Sequence, residues 1–338
     1  MVWAFHVASL AFTLLQRPMR PPHLAYRALA TSRSRVNFVQ ALDGSPASSV
    51  ATSDAPIEPL MEKPNGFLLV HKPQNWTSFD VVGKVRYVLE RRLKAAGHKF
   101  GRKSRLKVGH GGTLDPMATG LLVLGVGNGT KRMGALLKGS KAYVARAQLG
   151  AETDTQDKEG EVTTTAPHEH VTVAMLESAA AELTGDILQR PPIYSALRKD
   201  GKRLHELARA GQIKPEDVEK RPVTVHHLGV HSFDAATGVF ALDVKCSGGT
   251  YVRALIEDIG RAVGSAAHMT ALERTRHGPF CNDVEAAAAR ALGDDAHLLV
   301  APVFEGDLGS AEKLLQAVDE ANGALATMPT PAEQDEDP

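Results

Sequence analysis

The chain has 338 residues, 43% of them hydrophobic and 23% charged, which is ordinary for a globular protein and enough for one large domain or two smaller ones. Lys plus Arg and Asp plus Glu each number 39, so the overall balance excludes no class of partner. Cys246 and Cys281 are the only cysteines and form no C-x-x-C, which argues against a disulfide framework or a zinc site, and no apolar run reaches the roughly 18 residues of a membrane span.

The distribution of charge is more informative than its sum. Residues 1–42 contain no acid and carry Arg17, Arg20, Arg27, Arg33 and Arg35 among scattered Ser and Thr. That composition predicts an organellar transit peptide, with mitochondrion or plastid as the destination. A secretory signal ranks below it, because no Lys or Arg precedes the apolar stretch Ala4 to Leu15. A cytoplasmic or nuclear protein with a leader before Met61 is the alternative. Asp43 to Met61, rich in Ser, Ala and Pro, reads as a linker, so residues 1–62 are set apart from the domain that follows.

Phe67 to Val70 reads as a short strand ending at Lys72-Pro73. Ser78 is the expected N-cap of a helix, with Asp80 in its first turn. Val81, Val82, Val85, Val88, Leu89 and Leu93 recur at helical spacing behind it. Between Lys84 and Lys107 lie ten Lys or Arg and one acid, Glu90, so this segment, Lys103 and Arg105 included, is a candidate phosphate-binding strip.

The stretch Gly109 to Lys131, GHGGTLDPMATGLLVLGVGNGTK, sets Asp115 in a glycine- and proline-rich turn before the apolar run Leu121 to Leu124. A carboxylate at the lip of a core has tunable chemistry. Gly125 to Lys131 has neither P-loop nor dinucleotide-binding spacing and reads as a turn into a helix, Lys131 to Leu137. Lys141 to Gly150 alternates as a strand with Tyr143, Ala145 and Ala147 on one face. Asp154, Asp157 and Glu159 lack the EF-hand spacing, so no calcium site is expected.

Val171 to Leu183 is an amphipathic helix, followed by extended chain over Gln189 to Ala196. Arg198, Lys199, Lys202, Arg203 and Arg209 surround a turn at Asp200-Gly201 and a short helix. Val223 to Phe233 and Val239 to Cys246 pair as antiparallel strands, and Ser247-Gly248-Gly249 opens a helix, Thr250 to Val263. Arg253 falls in that helix's first turn, where the dipole disfavours a cation, so an anion nearby is expected. Met269 to Phe280 contains a further strand with Arg274 and Arg276, and Asp283 to Leu292 a short helix. Residues 63–302 thus form the domain. Residues 303–338, with nine acids and one Lys, form an acidic tail expected to be disordered toward its end. Helices interleaved with antiparallel strands make the fold class α+β.

The loop Gly109 to Gly120 resembles the active-site loop of the TruB family of tRNA pseudouridine synthases. Six further segments resemble the family's pattern in its order: Lys72-Pro73 with Thr77-Ser78, Lys141-Ala-Tyr143, Gly150 to Asp157, Pro192 to Ala196, Cys246 to Arg253, and Leu272 to Phe280. The Gly-Gly form of the loop and the last segment look most like the eukaryotic members, which form pseudouridine-55. Ala142 departs from the Arg that bacterial relatives often have, and the basic segment Arg91 to Lys107 is longer than theirs. No segment after Phe280 resembles the RNA-binding PUA domain.

The resemblance implies the pseudouridine-synthase fold, a central, mixed but mostly antiparallel sheet flanked by helices, with an RNA-gripping insertion. It implies Asp115 as catalytic carboxylate, Arg253 paired with it, and Tyr143 stacked on an everted uracil. His110, Gly112, Tyr251, Leu272 and Lys72 would contact the substrate, and Arg198, Lys199, Lys202, Arg203 and Arg209 would grip RNA. The implied reaction needs no cofactor and no metal. The implied partner is tRNA through its T-arm, with messenger RNA as a second substrate class, no membrane and no obligate protein partner, hence a monomer. Two rival readings keep the scaffold but change the role: a non-catalytic RNA-binding or tRNA-folding protein, and a guide-RNA-directed synthase.

Overall fold

The computed structural model describes residues 62–281, 299–300, 308 and 310–326, all within one compact unit, Glu58–Pro338. Strands β1 (Gly66–Lys72), β2 (Val108–His110) and β3 (Thr119–Val126) form one side of a central sheet. Apolar runs in β1 and β3 are continuous because both faces are covered. Leu68, Val70, Leu122 and Leu124 face the main core, while Phe67, Leu69, Leu121 and Val123 pack with Phe280 on the other side.

Helix α1 (Ser78–Ala95) buries the predicted valine and leucine stripe against that core. Its N-cap is Thr77 rather than Ser78. Thr77 and Asp80 form a reciprocal capping box, which frees the Ser78 hydroxyl for a longer-range contact. A 3-10 turn over Gly127–Arg132 leads into α2 (Met133–Lys138). Next come β4 (Lys141–Leu149), the small hairpin of β5 (Ala151–Thr153) and β6 (Val162–Thr165), α3 (Val173–Glu182) and β7 (Gly185–Gln189).

The insertion carries its own hairpin, β8 (Arg198–Lys199) and β9 (Lys202–Arg203), and helix α4 (Leu204–Arg209). Asp200 and Gly201 both take positive φ, 52° and 80°, as a two-residue hairpin turn requires. Leu204, Ile213 and Val218 give this insertion a small core separate from the main one.

Strands β10 (Arg221–Asp234) and β11 (Val239–Cys246), helix α5 (Val252–Ala262) and strands β12 (Ala267–His277) and β13 (Phe280–Cys281) complete the main sheet with β14 (Leu299–Val300). The strand order is β1-β3-β12-β4-β11-β10-β7, mostly antiparallel, with a parallel join where Arg274 of β12 meets Gly120 of β3. That join needs glycine. Gly120 has φ +92°, and a Cβ there would lie 2.4 Å from the Arg274 carbonyl oxygen.

The leader and linker expected up to residue 61, and the helix expected over Asp283 to Leu292, lie outside the described residues. The expectation for residues 303–338 needs correction. Ala311–Ala326 form a helix, α6, whose Leu314, Val318 and Ala321 are buried and whose Asn322 bonds the backbone at Asn65 and Phe67. The acids Glu312, Asp319 and Glu320 mask an apolar stripe at helical spacing, so net charge misread an amphipathic helix as a tail.

Candidate active site

The connection between β2 and β3 is held at several points by side chains from the β1–α1 region. The Ser78 hydroxyl accepts from the Leu114 amide at 2.9 Å and donates to the Leu114 carbonyl at 3.2 Å. The Asn75 backbone N–H donates to the Pro116 carbonyl at 2.8 Å. Lys72 is fully buried, and its ammonium donates to the carbonyls of Pro73, Trp76 and Pro116 at 2.7, 2.6 and 3.1 Å. Three carbonyls replace its water. Burial pulls its pKa down to about 8, with the Asp115 charge pulling the other way. The expected substrate contact at Lys72 is therefore corrected: its ammonium fixes the turn that carries Asp115.

Asp115 stands at the end of this held turn, with its side chain one-third exposed. Arg253, in the first turn of α5, is buried and aims its guanidinium at it, with Nε 3.0 Å from Oδ2. The other donors are also directed. One Nη donates to the Thr155 carbonyl at 2.7 Å and lies 3.7 Å from the Asp157 carboxylate, while the second donates to the Tyr194 carbonyl at 3.2 Å. A cation set against the helix dipole thus has the anion that the sequence led us to expect, and a second one in Asp157. The loop holding Asp157 is itself ordered, since Asp157 accepts from the Thr155 hydroxyl and the Glu159 amide.

Tyr143 lies on β4 with little exposure, and its phenol is pushed up to about 12. Burial is the main cause, the Arg274 guanidinium opposes it, and the Asp115 charge adds to it. Tyr143 therefore stays a neutral phenol across the physiological range. Leu272 packs in the main core on the neighbouring strand, opposite Ala145 and two residues along from Tyr143. Tyr251 is the half-buried N-cap of α5, its backbone clamped by the Gln189 amide side chain, and burial raises its phenol. His110 is half-buried at the entry to the loop, and burial, then Arg274, lowers its pKa, so its imidazole is neutral at pH 7.

Arg274 is the residue that sequence reasoning missed. It is almost wholly buried on β12, donating to the Leu121 carbonyl at 2.7 Å and the Gly112 carbonyl at 3.2 Å, and lies beside the Tyr143 hydroxyl. Gly112, expected as a substrate contact, contributes this carbonyl to the floor. Its Cα faces His277 so closely that a Cβ would meet the imidazole at 3.3 Å. Only the run Arg274-Thr-Arg276 marked Arg274 in the sequence, and an arginine in a strand reads first as surface.

The exposed cations fall elsewhere. Arg198, Lys199, Lys202 and Arg209 stand on the outside of the insertion, with Arg203 half-buried. Lys199 also donates to the Asp217 carbonyl at 2.9 Å. The stem of the insertion reaches the site directly, because Tyr194 both receives the Arg253 bond and donates its hydroxyl to Asp154. In the basic segment Lys103 is exposed, whereas Arg105 pairs with Glu90 at 3.4 Å. A separate groove of about 730 Å³ runs along the outer face of α5 past Glu152, Asp154, Glu257 and Asp258. Its lining is of mixed charge, because Arg190, Lys220 and Arg261 stand among these carboxylates. Among the described residues no cluster of His, Cys, Asp or Glu is placed to hold a metal ion.

Comparison with known proteins gives a consistent picture. The family described as TruB family pseudouridylate synthase (N terminal domain) matches residues 98–252, and the tRNA pseudouridylate synthase B C-terminal domain matches residues 253–321, reaching into α6. Pseudouridylate synthase TRUB1 of Homo sapiens is 42% identical over 64% of this chain. The chain spans 62% of that relative's length. The tRNA pseudouridine synthase B of Corynebacterium aurimucosum is 42% identical over 78% of this chain and 82% of its own length. A chain in the crystal structure of a Cbf5-Nop10-Gar1 complex is 29% identical over 71% of this chain and 56% of that one, with a TM-score of 0.47.

Proposed function

Because the chain belongs to the TruB family of pseudouridylate synthases, we propose that it is an isomerase converting the T-loop uridine of tRNA to pseudouridine, with Asp115 as its catalytic carboxylate. The observation that carries this reading is the contact of the buried Arg253 guanidinium with the Asp115 carboxylate at 3.0 Å, with the Tyr143 phenol near enough to feel the Asp115 charge.

The reaction breaks the bond between the uridine N1 and the ribose C1′, turns the uracil over, and joins C5 to C1′. The hydrogen on C5 leaves to solvent and N1 gains one, so no atom is lost and no oxidant is needed. The target base first leaves its stack, which costs a few kcal/mol and is offset by contacts in the pocket. Arg253 holds Asp115 in one orientation from three sides of its own hydrogen-bond network, so the carboxylate is pre-positioned rather than searching. Tyr143 offers the everted uracil an aromatic face and a neutral hydroxyl, and the shift of its phenol to about 12 keeps it from acting as a phenolate base.

Recognition of a splayed RNA loop rests on shape and phosphate contacts. The exposed cations of the insertion, tethered through Tyr194 to Arg253, suit that task. Messenger RNA with a similar loop is a second substrate class by the same recognition, the protein acts as a monomer, and the Arg-rich leader directs it to mitochondrion or plastid.

The test is tritium release from T-loop RNA carrying [5-³H]uridine, using the full chain without added RNA or protein. Release by the wild type and none by Asp115→Asn, with RNA binding retained, is the expected result. No release by the wild type, or normal turnover by the variant, overturns the reading.

A further inference from the structure

Among the described residues the side chains on the outer ridge of α1 make no hydrogen bond, ion pair or ring contact except that of Phe79 with His110, and the composition of the ridge is unusual for a solvated helix face. Phe79, Gly83, Tyr87 and Arg91 follow one another at four-residue spacing, and all four are exposed. Phe79 is 63% exposed and Tyr87 58%, among the most exposed large apolar side chains described. Single exposed aromatics need no explanation; two on one ridge that leads away from a catalytic loop are a different case.

The ridge is continuous with the site at one end. Ser78 is bonded to both backbone groups of Leu114, so Phe79 is fixed beside the residue preceding Asp115. The Phe79 ring meets the His110 imidazole edge-on, with centroids 5.5 Å apart and planes at 89°. With that contact made, Phe79 is still 63% exposed. At its other end the ridge runs into the basic segment. Glu90 is taken by Arg105 and the Leu106 amide, and Arg92 by Glu312. Arg91, Lys94, Lys99, Arg102 and Lys103 are exposed and form no ion pair among the described residues.

Gly83 adds an independent argument. A glycine within a helix costs about 0.5–1 kcal/mol relative to alanine. Here a Cβ would meet nothing within 4 Å, so packing does not require the glycine. A flat spot between two aromatic rings lets a chain lie close against the helix.

We propose that this ridge is a second RNA-contact track, outside the pocket: the Phe79 ring stacks on an unpaired nucleobase adjoining the everted uridine, the strand crosses Gly83 to Tyr87, and Arg91, Lys94, Arg102 and Lys103 take the phosphates that follow. The inference rests on the RNA-modifying reading above. Stacking on exposed aromatics is sequence-tolerant, and interleaved aromatic and cationic side chains are the usual means of holding single-stranded RNA.

The experiment uses the full chain and T-arm RNA carrying 2-aminopurine at the nucleotides flanking the target uridine, with binding followed by anisotropy. Phe79→Ala weakens binding about 5- to 100-fold, the range for one stacked base, and removes the 2-aminopurine signal that Phe79→Trp restores. Gly83→Gln keeps or raises the melting temperature yet lowers RNA affinity, a combination that a purely structural role cannot give. Val162→Ser, exposed on β6 away from the ridge, changes neither. Unchanged affinity and unchanged 2-aminopurine signal in both Phe79→Ala and Gly83→Gln overturn the proposal and assign the ridge to another occupant. Because binding is the readout, a wild type that binds RNA but releases no tritium would sink the enzymatic reading alone, whereas a wild type that binds no RNA would sink both.

Discussion

The floor beneath the candidate site and the insertion use the same kinds of side chain in opposite ways. In the floor, Lys72, Lys141, Arg253 and Arg274 are buried, and each donates to backbone carbonyls at hydrogen-bonding distance. In the insertion, Arg198, Lys199, Lys202 and Arg209 are exposed around a core of three residues. A buried cation must have its donors met, so it fixes the backbone around it; an exposed one keeps its water and remains free to exchange it for phosphate. Burial therefore separates the cations that shape the site from those left free to meet the proposed RNA substrate. Arg253 is the join, since its guanidinium contacts both Asp115 and the insertion stem at Tyr194.

The largest expected effect comes from breaking that join. Arg253→Ala leaves Asp115 without its partner and Asp157 as a buried carboxylate with no cation beside it. Breaking the buried contacts of Arg253 should destabilise the fold by up to about 3–5 kcal/mol, and the lost orientation of Asp115 should lower turnover by about 10²-fold while RNA binding changes little. Single-turnover kinetics with saturating RNA decide it. A variant that loses affinity but keeps its single-turnover rate would place Arg253 with the insertion rather than the floor.

Arg274→Leu is next. It leaves the Leu121 and Gly112 carbonyls without this donor, at about 1–3 kcal/mol each, so urea unfolding should show a loss of about 2–6 kcal/mol. The same variant removes the cation that opposes the rise in the Tyr143 phenol, which should therefore titrate higher still. Unaltered stability would mean that water replaces the guanidinium and that the floor is less closed than its geometry implies.

The same contrast explains what could be read from the sequence. The strands and helices were legible because their apolar residues recur at clear spacing, as in Val81 to Leu93 and Leu121 to Leu124. The pairing of Arg253 with an anion was legible because an early-helix cation is unfavourable unless something compensates it. Lys72 and Arg274 were not assigned their places, since a lone cation in a strand reads as exposed unless its carbonyl partners are known. Those partners come from Trp76, Pro116, Leu121 and Gly112, and only the closed fold brings them together. Helix α6 was hidden for the converse reason: its acids dominate the composition while Leu314 and Val318 carry the packing.

The buried lysines give a smaller effect with a distinctive sign. Lys72 and Lys141 each have a folded pKa of about 8 against an ordinary 10.5. Between those values the unfolded chain binds more protons, so their contribution to stability rises as pH increases from 8 to 10.5. The expected gain is about 1–3 kcal/mol per lysine across that window. Cys246, raised to about 11, pushes the total the other way, so the comparison is wild type against Lys72→Met or Lys141→Met. The difference in unfolding free energy should shift in favour of the wild type as pH rises. A pH-independent difference would mean that these ammonium groups are better solvated than their burial indicates.

The smallest effect on the fold is expected where the charges are most conspicuous. Replacing Arg198, Lys199, Lys202 and Arg209 together by Ala should change unfolding free energy by no more than about 0.5 kcal/mol per site, because exposed side chains leave no buried donor or acceptor behind. Lys199 is the exception to watch, since it donates to the Asp217 carbonyl and so braces the insertion. RNA binding responds differently. For every phosphate that is no longer neutralised, the slope of log affinity against log salt should fall by about 0.7 on single-stranded RNA. An intact slope would make these four cations mere solvated surface. A slope that falls together with a large drop in stability would make them part of the floor after all, and the division by burial would no longer distinguish the two regions.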